Sequence, residues 1–156
     1  MSIIFYSNEL MATFAEHKKI LKDIQAFKPQ LEKVVDAMGV LAANHFTRSF
    51  SNGGFTDESL QMWKPRKRTE RSRMGNRVIL VKSGRLRRSI RSKRFGFLSV
   101  KILTDVPYAS VHNNGERSGR GRGFKMPKRQ FIGYSGVLNR KIIAKMDVTI
   151  KGIFNK

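Results

Sequence analysis

VILVKSGRLRRSIRSKRFGFLSVKILTDVPYASVHNNG, residues 78–115, is the stretch whose reading decides the fold. Val78, Ile79, Leu80 and Val81 form an apolar run with the length and branching of a strand. Ser83-Gly84 breaks it, and the next five residues have room for one helical turn. Residues 90–94 and 97–104 flank Phe95-Gly96 and predict a hairpin. In its second strand Leu98, Val100, Ile102 and Thr104 are the purer apolar face, which is expected to lie on a long helix. Pro107 then starts a short helix whose Tyr108, Val111 and His112 pack back, and Asn113-Asn114-Gly115 ends it. This is a scaffold; no catalytic signature lies inside it.

Upstream, residues 1–7 predict a short strand or extended arm built on Ile3, Ile4, Phe5 and Tyr6. Leu10, Phe14, His17, Leu21 and Ile24 then step by four, three, four and three, one stripe of a helix over residues 8–26. Pro29 predicts a restart, because proline is tolerated in a first helical turn. From there Leu31, Val34, Val35, Met38, Leu41, Ala42, His45 and Phe46 keep helical spacing, the core of a long helix. Gly39 on its flank lowers helix propensity by about 1 kcal/mol relative to Ala, so it marks close packing against another segment. Ser51-Asn52-Gly53-Gly54 accepts positive φ and stops the helix. Trp63 is expected to anchor the base of the loop that follows, its ring buried and its N–H given a polar partner.

Downstream, residues 116–123 are a Gly/Arg insert, expected to be flexible until a partner orders it. Residues 124–131 predict a return strand. Leu138, Ile142, Met146, Ile150 and Ile153 predict a closing amphipathic helix starting near Ser135. The fold class is therefore α+β: a small antiparallel sheet packed against a long helix, with N-terminal and C-terminal helices and two mobile basic loops. The chain divides into an arm and helix over 1–27 and a single α+β domain over 28–156, with the basic loops at 64–77 and 115–125.

The 156 residues suit one domain, and 40% hydrophobic content is enough for a real core. The absence of cysteine excludes disulfides and thiolate chemistry. No apolar run has the length of a membrane span. A net charge of +21 demands an anionic surrounding. It is concentrated: residues 64–94 carry fourteen Lys and Arg against one acid, Glu70. Lys64, Arg66, Lys67, Arg68, Arg71, Arg73 and Arg77 in the first loop, and Arg117, Arg120, Arg122 and Lys125 in the second, are the candidate contacts to a partner or DNA.

Enzymatic chemistry has little to stand on. The three histidines lie on separate elements, and none has an acid at metal-ligand spacing. Asp57-Glu58 suits a helix start better than a catalytic pair. The glycines of residues 119–123 lack the Lys-Ser/Thr of a phosphate-binding loop. No catalytic residue, metal or cofactor is expected.

Four phrases, in order, resemble the Mu-like virion morphogenesis and tail-completion proteins of tailed phages. Gly54-Phe55 with Trp63, Pro65 and Arg66 is the first. Ser83-Gly84-Arg85-Leu86-Arg87-Arg88-Ser89-Ile90 is the second, and Pro107-Tyr108-Ala109 with His112 and Gly115 the third. Met126-Pro127-Lys128-Arg129-Gln130-Phe131-Ile132-Gly133 is the fourth, departing from the pattern by one extra polar residue before the aromatic. The resemblance covers about residues 28–150. It makes Trp63, Ser83, Gly84, Arg85, Leu86, Ser89, Pro107, Tyr108, Ala109, His112, Gly115, Pro127 and Phe131 structural motif positions. It implies a non-enzymatic subunit of the tail or head–tail junction, made in the host cytoplasm and carried in the virion. It also implies self-assembly into a ring, commonly six-fold, against other tail, neck or connector proteins, with non-specific DNA contact and no membrane. Two readings stand beside it. A nucleic-acid-binding module is supported by charge and opposed by the absence of helix-turn-helix, zinc or RNP-like signatures. A membrane-surface or ribosome-associated protein is opposed by the lack of a basic amphipathic helix.

Overall fold

The computed structural model describes residues 3–66 and 78–154, with side chains over 16–23, 25–66 and 78–152. Helix α1, Ile3–Asn52, is followed by strands β1 (Gly54–Thr56) and β2 (Leu60–Met62), then α2 (Arg85–Ser89). Strands β3 (Arg91–Arg94) and β4 (Val100–Leu103) precede α3 (Ala109–Asn114), β5 (Arg117–Ser118), β6 (Phe124–Lys125) and α4 (Gly136–Phe154). The three strand pairs are separate antiparallel hairpins. The α+β class expected from the sequence is what the chain adopts.

Two expectations at the N-terminus are corrected. The extended arm over residues 3–6 is helical, and Pro29 does not restart a second helix. The chain runs through it as one helix of 50 residues, about 75 Å at 1.5 Å per residue. Pro29 lacks the N–H that would reach the carbonyl of Gln25, and mid-helix proline costs about 3 kcal/mol, so neighbouring turns must hold the geometry. Val34, Met38, Ala42, Phe46 and Phe50, four apart, are buried along one stripe.

That stripe meets the core. Phe50 is fully buried, with Trp63 edge-on at 5.6 Å and Phe131 tilted at 5.2 Å between ring centroids. Phe46 stacks on Phe55 at 6.4 Å. Leu86, Ile90, Val106, Ala109 and Leu138 complete it. Gly53 ends α1 at φ 64°, as its sequence implied.

The β3–β4 hairpin crosses α1 at Gly39. A Cβ there would lie 2.7 Å from Val100 Cγ2 and 2.9 Å from Ser92 Cβ. Val100 and Ile102 therefore face the helix region as expected, but Leu98 is exposed because the strand starts at Val100. The apolar run Val78, Ile79, Leu80, Val81 is not a strand. It is a turn in which Val81 N–H donates to Val78 O at 3.2 Å and Leu80 takes φ 61°. Among the described residues no strand pairs with it, and Ile79, Leu80 and Val81 settle against the core while Val78 stays exposed. The expected return strand over 124–131 shrinks to Phe124–Lys125. The Gly/Arg insert forms the β5–β6 hairpin, its turn carrying Arg120 and Arg122.

Candidate functional site

Each motif phrase has a structural task. Gly84, at φ 72°, turns the chain into α2 and lets Leu86 enter the core. Ser89 Oγ donates to Leu86 O at 2.8 Å and lies 2.6 Å from Thr104 Oγ1, tying α2 to the end of β4. Gly115, at φ 74°, ends α3, and a Cβ there would meet the Lys128 backbone at 3.0 Å. Trp63 Nε1 donates to Gln130 O at 2.7 Å, the polar partner its burial requires. Asp57 and Glu58 serve a helix start as expected, at α4. Asp57 Oδ1 accepts from Gly136 N–H at 2.8 Å, Ser135 Oγ accepts from Leu138 N–H at 3.1 Å, and Glu58 pairs with Arg140.

These tasks bring the phrases together around one cavity of about 490 Å³. Ser83, Gly84, Arg85 and Leu86 line one wall, Tyr108 and His112 of the α3 region a second, and Met126 with Arg129 a third. Arg66, Ile79, Leu80 and Lys82 close the rim. Four of the lining residues are cationic and none is acidic.

Arg129 is the residue that the sequence reading passed over. Its side chain is inside the protein, only 7% exposed. Nε and Nη2 donate to one acceptor, Lys64 O, at 3.3 and 3.1 Å, while its backbone N–H donates to His112 O at 2.8 Å. It pins the loop base to α3. No carboxylate among the described residues pairs with it. Burial, and then the charge of Arg66, push its pKa below the ordinary guanidinium value. No periodicity marks Arg129; in sequence it is the second half of a Lys-Arg pair. His112 beside it is edge-on to Tyr108 at 5.9 Å, and its Nδ1 is buried with no hydrogen-bond partner. Burial, then Arg129, lowers its pKa, which favours the neutral ring.

The remaining candidate contacts divide. Lys64 and Arg66 are exposed at the loop base, with Arg66 Nη2 donating to Val78 O at 3.2 Å. Lys67, Arg68, Arg71, Arg73 and Arg77 lie outside the described residues. Arg117, Arg120, Arg122 and Lys125 are exposed on the β5–β6 hairpin, where Arg117 Nη2 donates to Arg122 O at 2.6 Å. Arg94, within the same basic stretch, is neutralised at home by Glu32 at 2.7 Å and by Asp36.

No cluster of three or more potential metal ligands occurs among the described residues. No helix among them is long and apolar enough to cross a membrane. A family model described as the phage virion morphogenesis family matches residues 13–150. No curated protein and no solved structure matches the chain.

Proposed function

Because the chain belongs to the phage virion morphogenesis family and so has a part in virion assembly, we propose that it acts at tail completion or the head–tail junction as one subunit of a six-fold ring. The observation that carries the subunit reading is the exposure of α1 ahead of Phe27 wherever its side chains are described. Residues 16–23, with Gln25 and Ala26, are exposed, and Ile20 and Leu21 keep 54% and 60% of their surface in solvent. Helices in proteins draw most of their stability from packing one face. A helical stretch that leaves large apolar side chains such as Ile20 and Leu21 in solvent is stabilised when another chain covers them. In a head-to-tail ring each subunit offers two different faces. This stretch of α1 supplies one, and the cationic loops at 64–77 and 115–125 supply contacts to neighbours or to DNA.

The net charge of +21 also favours a second reading, non-specific nucleic-acid binding without a place in the particle. The two separate in a phage lacking its own copy, supplied with Arg120→Glu/Arg122→Glu or Arg71→Glu/Arg73→Glu protein. The assembly reading expects heads and tails that fail to join, with the circular dichroism of the purified variants unchanged. Normal particle yield from both variants would sink it.

A further inference from the structure

We propose that the cavity between α2, α3 and the segment around Arg129 is a docking site for an acidic peptide segment of another virion protein, a carboxylate on Arg129 with an apolar neighbour on Leu80 and Met126. The choice of a protein as ligand rests on the assembly reading; the site itself rests on its own chemistry.

A guanidinium this deeply buried normally has a counterion, because an unpaired charge away from water is strongly disfavoured. Arg129 has only a carbonyl, Lys64 O, and its Nη1 makes no hydrogen bond among the described residues. Arg66, Lys82 and Arg85 add three more cations around it, and the acids that form ion pairs all do so elsewhere. His112, whose Nδ1 is buried with no hydrogen-bond partner, is among the residues that line the same space. A volume of about 490 Å³ lies within the usual range for ligand sites. The walls are mixed: Ile79, Leu80, Leu86 and Met126 are apolar. A nucleic-acid backbone offers phosphates with no apolar side chain beside them, and its phosphates meet exposed cations. A peptide carboxylate next to an apolar residue matches both kinds of wall.

Full-length protein is titrated with two fluorescein-labelled short peptides of equal apolar content, one carrying Glu and Asp, the other Gln and Asn. A short DNA duplex serves as competitor. The acidic peptide is expected to bind about tenfold or more tightly than its amide twin, the usual scale for a charged hydrogen bond. Lys82→Ala/Arg85→Ala, both exposed and free of packing duties, and Arg129→Gln should each weaken it about tenfold, and His112 ring resonances should move as it binds. Equal binding of the two peptides overturns the proposal, as does unchanged affinity in Lys82→Ala/Arg85→Ala. Duplex DNA that displaces the peptide, and itself loses affinity in those variants, makes the site a phosphate site and also overturns it. So does a Glu70→Gln variant that loses as much thermal stability as Arg129→Gln, since the counterion is then internal. No preference of the parent protein for the acidic peptide, with joining still dependent on Arg120 and Arg122, removes the cavity proposal alone and leaves the assembly reading in place.

Discussion

Asn113 holds two segments together with one atom. Its Oδ1 accepts from Phe131 N–H at 2.9 Å and from Ile132 N–H at 3.0 Å, so it seats the aromatic that closes the core. In sequence Asn113 reads only as a helix terminator before Gly115, because the two N–H groups it serves lie eighteen and nineteen residues on. Trp63 was legible for the opposite reason: a large ring with one donor needs burial and one acceptor wherever it lies. Asn113→Ala should lower stability by about 2–3 kcal/mol in urea unfolding, since two part-buried donors lose their acceptor. Asn113→Asp keeps the acceptor and should stay within about 1 kcal/mol of the parent; equal loss in both would show that packing, not acceptance, is at stake. Histidine gives a second residue-scale test. Burial lowers the pKa of His45, with Lys141 and Arg48 adding to it against the hydrogen bond to Thr56 O, and burial lowers that of His112 too. The unfolded chain then binds more protons than the folded one just below the model-peptide value of 6.5. Stability must rise with pH in that window and fall as acid is added. The melting temperature should drop between about pH 7 and pH 5.5, and His45→Gln/His112→Asn should flatten the slope.

Between elements, what could be read from sequence depended on whether the signal was local. The α1 stripe beyond Pro29, the Gly53 stop, the hairpin around Gly96 and the Ser135 start of α4 are set by spacing and caps, and all appear where expected. Pro29 and residues 78–81 misled because propensity alone does not know the surroundings: a long helix can run through one missing hydrogen bond, and an apolar run with no strand beside it folds into a turn. The candidate cavity was half legible. Its motif walls were singled out as structural positions, while Arg129 becomes a site only when the loop base and α3 meet. Gly39 is the position where one element's contact depends on a hydrogen atom. Alanine there gains about 1 kcal/mol of helix propensity. Its methyl must displace Val100 Cγ2 and Ser92 Cβ, both closer than real Cβ contacts allow, and overpacking of this kind costs about 1–3 kcal/mol. Gly39→Ala should therefore come out destabilised by roughly 1 kcal/mol. A stabilised Gly39→Ala would mean that the β3–β4 hairpin does not lie against α1 as described, and Ser92→Gly in the same chain should restore part of any loss.

For the whole molecule the question is how subunits carrying +21 each associate at all. Like-charged bodies repel, and salt weakens that repulsion as the Debye length falls from about 30 Å at 0.01 M to about 10 Å at 0.1 M. An apolar helix face feels no such screening. If the first half of α1 joins subunits, self-association should therefore strengthen with added salt, whereas contact with DNA or an acidic partner should weaken. The sign of the salt dependence thus tells the two surfaces apart in one sedimentation series. Deleting residues 2–25 removes the stretch in which every described side chain, 16–23 and Gln25, is exposed. The body should keep its cooperative unfolding, within about 0.5 kcal/mol, because the side chains described there are exposed. The truncated chain should sediment as a monomer at every salt concentration, while the full chain shifts toward larger species as salt rises. A truncated chain that still assembles places the ring contact in the body. Self-association of the full chain that dissolves with salt places it on the charged loops, and either result removes the helix from the interface.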